Sequence, residues 1–328
     1  MKLPFILSGA KRVFDSRPIH AQIDVMDDCN LSCQYCSEYA PGAPAPPLQD
    51  LKRRIDKLDS LGVFVYDFRG GEPLLHPGIV ELVAHTKHKR NGANLVTIIT
   101  NGFLLKSDLI RDLNNAGLDC LQVSVDSVEP TPTTPKSLKS LLPKLRLLAR
   151  EARFDVKIQT TLYEETYADY DRFREVLKDF PFTLRFSPMH HPGGRIAIQG
   201  EKYVAFLRKY GVSEAGDFWD QQLEEMLMGD FSGPWKCLGG FKSLFINSKG
   251  GMHWCCQQRD YVTPLQTLSL AELRKNNCHK PCEAGCCIGY VRVISNALGE
   301  PTKTFAASLR MALQKNRQPS IEQSPVPG

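Results

Sequence analysis

Cys29, Cys33 and Cys36 place three thiols within eight residues, in the spacing C-x3-C-x2-C. Three thiolates hold three corners of a cubane iron–sulfur cluster and leave its fourth iron without a protein ligand. Structural zinc fits this run poorly, because it prefers four ligands in two pairs and no fourth partner stands nearby. A disulfide framework requires an oxidising compartment and normally a small secreted chain.

A second group, Cys237, Cys255, Cys256, Cys278, Cys282, Cys286 and Cys287, lies where apolar core residues are sparse. Metal ligation would staple such a module. The segments 244–247 and 251–254 read as a hairpin around Asn247 to Gly250, which brings Cys237 and Cys255 to one metal. Two of Cys278, Cys282 and Cys286 complete a set of four, and the spacing leaves open which two. A tetrahedral zinc remains the alternative for this site. Cys120, on an expected strand, reads as a buried apolar cysteine. His190 and His191 follow the last expected barrel strand and are candidates for substrate contact or proton transfer.

With Tyr35 just before Cys36, the C-x3-C-x-aromatic-C run resembles the signature of the radical S-adenosylmethionine (SAM) enzymes. Gly70-Gly71-Glu72-Pro73 matches that family's G-G-E-P motif. The resemblance spans roughly Ile23 to Met189. It implies that Cys29, Cys33 and Cys36 hold a 4Fe–4S cluster whose open iron is chelated by SAM. Electron transfer from the reduced cluster then yields methionine and a 5′-deoxyadenosyl radical, which abstracts a hydrogen atom from substrate. It further implies that Gly70, Gly71 and Glu72 bind the SAM amino group, and that Ser124, then Asp126, touches its carboxylate or ribose. Tyr35, Asn101, Gln159 and Arg185, with Thr161 and Ser187, complete the expected lining. The Cys237 to Cys255 spacing resembles the opening of SPASM and twitch extensions, so one auxiliary 4Fe–4S cluster is expected. Cys256, beside a ligand position, is expected to donate a hydrogen atom, as a cysteine does in some relatives.

These groups need elements to hold them. Apolar or β-branched runs at 21–25, 63–68, 94–100, 119–125, 155–162 and 183–187 read as six strands. Helical periodicity runs over 48–61, 78–90, 107–116, 136–153 and 167–180. Repeated β-then-α units imply parallel strands with right-handed crossovers. The expected fold is α/β, a partial (β/α)6 TIM-like barrel with a small C-terminal β-hairpin plus helix module; a doubly wound open sheet is the competing arrangement. In either, chemistry belongs at the carboxyl ends of the strands, where the first cysteines fall. The expected divisions are an N-terminal segment 1–20, a barrel 21–192, a helical linker 193–236, an auxiliary module 237–314 and a disordered tail 315–328.

The 328 residues, 42% hydrophobic, allow a sizeable core. A formal charge of +5 without a long basic run, and no aromatic-interleaved basic motif, argue against nucleic-acid binding. No signal peptide and no apolar stretch of roughly 18 residues is present, so no membrane role and a cytoplasmic location are expected. There, eleven cysteines are better explained by metal than by disulfides. The expected activity is radical chemistry on a small biosynthetic substrate, by epimerisation, oxidation or rearrangement, with a reducing partner such as flavodoxin or ferredoxin. One alternative is a peptide maturase with a separate leader-binding partner, since the few residues before the first strand argue against a built-in leader module. The other is an iron–sulfur electron carrier, which normally ligates its cluster with four cysteines.

Overall fold

The computed structural model describes residues 15–36, 39–211, 217–233, 235–260 and 262–299. The expected tail 315–328 and most of the segment 1–20 lie outside them. The six expected strands are all present: β1 (His20–Met26), β2 (Val65–Gly70), β3 (Leu95–Thr100), β4 (Cys120–Ser124), β5 (Asp155–Leu162) and β6 (Thr183–Pro188). They pair in parallel and in sequence order, β6-β5-β4-β3-β2-β1. A doubly wound sheet reverses its order at a switch point. This sheet never does within β1 to β6, which makes it a partial, unclosed barrel.

Helices α1 (Leu48–Leu61), α2 (Ile79–His88), α3 (Ser107–Ala116), α4 (Leu138–Glu151) and α5 (Glu164–Leu177) connect the strands. Leu51, Ile55 and Leu58 of α1, and Leu138, Leu141, Leu145 and Leu148 of α4, form buried stripes at helical spacing. Helix α5 begins three residues before the periodicity suggests, because the Thr166 hydroxyl accepts from the Tyr163 N–H (2.8 Å) and caps the first turn. On β5, Val156, Ile158, Thr160 and Leu162 are buried while Lys157, Gln159 and Thr161 are only partly covered. That alternation sends apolar side chains into the core and polar ones toward the lumen.

The stretch expected as a linker contains α6 (Glu201–Tyr210) and α7 (Asp217–Leu227). Phe206 of α6 packs against Tyr170 of α5 (4.7 Å between ring centres) and Phe186 of β6 (4.9 Å), so α6 is part of the body of the fold. The C-terminal hairpin, β7 (Ser243–Ile246) and β8 (Gly251–His253), extends the barrel's own sheet. Strand β7 runs parallel to β1, from His20 opposite Ser243 to Ile23 opposite Ile246, and β8 and the short β9 (Thr263–Pro264) follow antiparallel. Short helix α8 (Leu270–Lys275) and α9 (Gly289–Gly299) complete the described chain. No helix among the described residues is long and apolar enough to cross a membrane.

Candidate cluster sites and the cavity between them

The first cysteine loop leaves β1 and is clipped from several sides. The Asp28 carboxylate accepts from the N–H groups of Cys29 and Gly42, both at 2.9 Å. Gly71 N–H donates to the Met26 carbonyl (2.7 Å) and Glu72 N–H to the Asp28 carbonyl (2.8 Å). A Cβ on Gly70, whose φ is +139°, would stand 1.9 Å from the Met26 oxygen; one on Gly71 would stand 2.2 Å from the Asp28 oxygen. The two glycines thus admit the backbone of the cysteine loop itself. Across the loop, Asn101 Nδ2 donates to Asn30 Oδ1 (2.8 Å), Gln34 N–H to the Thr133 carbonyl (2.9 Å), and Cys33 Sγ lies 3.3 Å from Thr134 Oγ1.

Glu72 is fully buried, and its carboxylate accepts from Leu74 N–H (2.9 Å), Thr100 Oγ1 (2.7 Å) and Asn101 N–H (2.8 Å). It ties the loops after β2 and β3 together and does not line the cavity. Asp126, also buried, accepts from Tyr35 Oη (2.6 Å) and Thr161 N–H (3.0 Å) and pairs with Lys136 Nζ (3.1 Å), which also donates to Tyr35 Oη. Burial and the Asp126 charge push the Tyr35 hydroxyl far up, while Asp126 and Tyr35 keep Lys136 protonated against burial. This triad clamps the residue between Cys33 and Cys36 to the end of β4.

All three thiols of the loop face one cavity of about 340 Å³. Tyr35, Gly70, Gly71, Asn101, Ser124, Thr161, Ser187 and His190 share its wall, as does Lys136. Asp126, Gln159, Arg185 and His191 are not on that wall: Asp126 is spent in its triad, Gln159 donates to Ser187 Oγ (3.1 Å), and His191 is exposed beyond the loop. The C-terminal segment lines the same cavity through Cys256, Gln257, Cys287, Ile288, Gly289 and Tyr290. Burial pushes the Cys29 thiol up, with repulsion from Glu72, Cys36 and Cys33 adding to it and the Leu31 N–H (3.4 Å from Sγ) opposing it. Three crowded thiols with an amide aimed at sulfur suit a cationic cluster, and they fit it.

Cys237, Cys255, Cys282 and Cys286 line a second, much smaller cavity with Trp235, Trp254, Lys280 and Glu283. The exposed Cys278 is not on its wall. Burial pushes Cys237 up to about 11 and Cys286 up to about 12, and neighbouring thiols add to both. Gly239 N–H points at Cys237 Sγ from 3.4 Å. Among the described residues no three His, Cys, Asp or Glu side chains are gathered to the spacing of a single ion. In each Cys-Cys pair, 255–256 and 286–287, one thiol faces the small cavity and its neighbour faces the large one. Cys287 was not anticipated there; the doublet, repeating the pattern of 255–256, is the signal that could have found it.

A model of the radical SAM superfamily matches residues 23–177. The chain carries a radical SAM domain. A radical SAM domain implies a 4Fe–4S cluster and SAM as its cofactors. It is 28% identical over 194 residues to a GTP 3′,8-cyclase of Actinobacillus pleuropneumoniae serotype 5b (strain L20), a match covering 55% of each chain. The chain thus spans about half the length of the curated relatives it matches. In structure it is similar to Streptococcus suis SuiB bound to precursor peptide SuiA (TM-score 0.62, 14% identity, 85% of this chain and 69% of that one). It is also similar to anSMEcpe with bound AdoMet (TM-score 0.58, 20% identity, 79% and 81%). At these identities the structural likenesses speak for the fold.

Proposed function

We propose that this radical SAM enzyme abstracts a hydrogen atom from a small, polar, uncharged or anionic metabolite held in the 340 Å³ cavity, and that an auxiliary 4Fe–4S cluster stands behind the cavity's far wall. The observation that carries this reading is that Cys29, Cys33 and Cys36 share one cavity with Cys256 and Cys287, whose chain neighbours Cys255 and Cys286 line the small four-cysteine cavity. When bound, the cluster and SAM supply a radical able to take hydrogen from an unactivated carbon. The chain's residues do the rest. Gly70, Gly71, Asn101 and Ser124 bind and orient SAM, the Tyr35–Asp126–Lys136 triad holds the cysteine loop, and Glu72 positions Asn101. Cys237, Cys255, Cys282 and Cys286 ligate the auxiliary cluster.

Hydroxyls and amides from Gln22, Gln122, Ser124, Thr161, Ser187 and Gln257 line the wall with the cations Arg69 and Lys136, and among the described residues no Asp or Glu does. Such a lining suits a hydroxyl-rich metabolite, and its two cations suit an anionic group on it. Cys256, on the cavity wall, would donate a hydrogen atom and His190, on the same wall, would move a proton, while a flavodoxin or ferredoxin would supply electrons. The likeness to SuiB raises a peptide substrate as the second reading, and the hydroxyls and amides on the cavity wall favour the smaller one.

Anaerobic reconstitution, reduction and addition of SAM should yield 5′-deoxyadenosine and about eight irons per chain. Absence of 5′-deoxyadenosine would sink the enzyme reading. Deuterium passing into 5′-deoxyadenosine from a perdeuterated sugar or nucleoside panel, and not from peptides, identifies the substrate class; transfer only from peptides reverses the preference.

A further inference from the structure

Two cations are buried against the four-cysteine site. Lys280 is 4% exposed, and its ammonium donates to the carbonyls of Asn276 (2.8 Å), Cys237 (3.1 Å) and Cys278 (3.1 Å), beside the Trp254 ring at 5.1 Å. All three of its donors go to backbone oxygens. Arg292 is 3% exposed; its Nε donates to the Cys286 carbonyl (2.9 Å), its Nη1 to Gln222 Oε1 (3.3 Å), and its guanidinium lies 3.9 Å from the centre of the Trp235 ring. Glu283, the carboxylate lining that small cavity, accepts from the N–H groups of Cys237 (2.8 Å) and Lys280 (3.0 Å) and pairs with His279 (2.8 Å).

Burying an ammonium and a guanidinium costs several kcal/mol each unless an anion compensates. Glu283 supplies a single negative charge, shared with His279, for two buried cations, and neutral thiols supply none. Four thiolates around a doubly positive 4Fe–4S core leave a net charge of −2, and uptake of one electron makes it −3. We propose that Lys280 and Arg292 are the built-in counter-charges of the auxiliary cluster and set its reduction potential, raising it by favouring the more negative state. The inference rests on the auxiliary-cluster reading above. Lys280 and Arg292 are tuning residues: they act on the cluster through space and touch no substrate.

The test uses the full-length, anaerobically reconstituted protein carrying both clusters, titrated potentiometrically with EPR detection. The couple that responds to added SAM is the internal reference. In Lys280→Met, of similar length without charge, the oxidised-to-reduced ratio of the auxiliary cluster at a fixed potential should rise at least tenfold, about 59 mV for one electron. The SAM-responsive couple should stay in place, and Lys280→Arg should restore most of the shift. Arg292→Gln should move the same couple in the same direction. Loss of auxiliary iron in Lys280→Met with retention in Lys280→Arg also supports charge compensation. Loss in both, or an unchanged auxiliary potential at about eight irons per chain, overturns it and leaves the cluster assignment standing. About four irons per chain, with or without zinc, overturns both.

Discussion

Gly71→Ala tests whether the glycine pair serves the cysteine loop. The added Cβ would meet the Asp28 carbonyl oxygen at 2.2 Å and that of Asp27 at 2.5 Å. Neither oxygen belongs to a flexible side chain, so the loop must retreat by close to an ångström. Overpacking of this kind costs about 1–3 kcal/mol. Retreat also strains the Gly71–Met26 and Glu72–Asp28 backbone bonds, now 2.7 and 2.8 Å, each worth about 0.5–1.5 kcal/mol. A total of about 2–6 kcal/mol is comparable to the margin of a folded domain, yet the strain is local, so the protein should remain folded with its first cysteine loop displaced. Iron analysis after anaerobic reconstitution should fall from about eight to about four irons per chain, with 5′-deoxyadenosine formation lost and the auxiliary signal kept. A variant that binds its full iron and makes 5′-deoxyadenosine within twofold of the parent would refute the reasoning.

Three further outcomes follow from the geometry. Asp126→Asn leaves the Lys136 ammonium buried without its carboxylate and should destabilise the protein by about 3–5 kcal/mol in denaturant unfolding, whereas Tyr35→Phe, which removes the hydroxyl's hydrogen bonds to Asp126 and Lys136 but leaves those two charges paired, should cost about 1.5–3 kcal/mol. Cys282→Ala should lose about four irons per chain while Cys278→Ala loses none, since only Cys282 faces the small cavity; equal losses would redraw the ligand set. Ser124→Ala should weaken SAM binding by about 0.5–1.5 kcal/mol in anaerobic calorimetry, because it removes a hydroxyl from the cavity wall without changing the strand.

Much of the fold was legible because it is written in local patterns. Apolar alternation on β5 and the stripe on α4 each declare which face is buried, and motif order placed the cysteines at the carboxyl end of β1. Boundaries slipped where a side chain decides them, as at Thr166, or where two left-handed residues, Arg90 and Asn91, end a helical run early. The site was legible where spacing is short. It was less so where one residue type has two uses: Asp126 and Glu72 are acids on the motif elements, yet their carboxylates are occupied by the chain's own donors.

By itself the sequence determined the thiol triplet, the glycine turn after β2, the β/α alternation and the existence of a second cysteine group, because each depends on neighbours a few residues apart. Only the tertiary structure decided that strand order never reverses, that β7 joins the barrel sheet beside β1, and that Cys282 and Cys286 rather than Cys278 meet Cys237 and Cys255. Which thiols share a cavity, and which cations are buried against them, depends on contacts between separate segments of the chain, such as Lys280 with Cys237, 43 residues away. No local pattern encodes those distances; they are set by how the sheet and its helices pack.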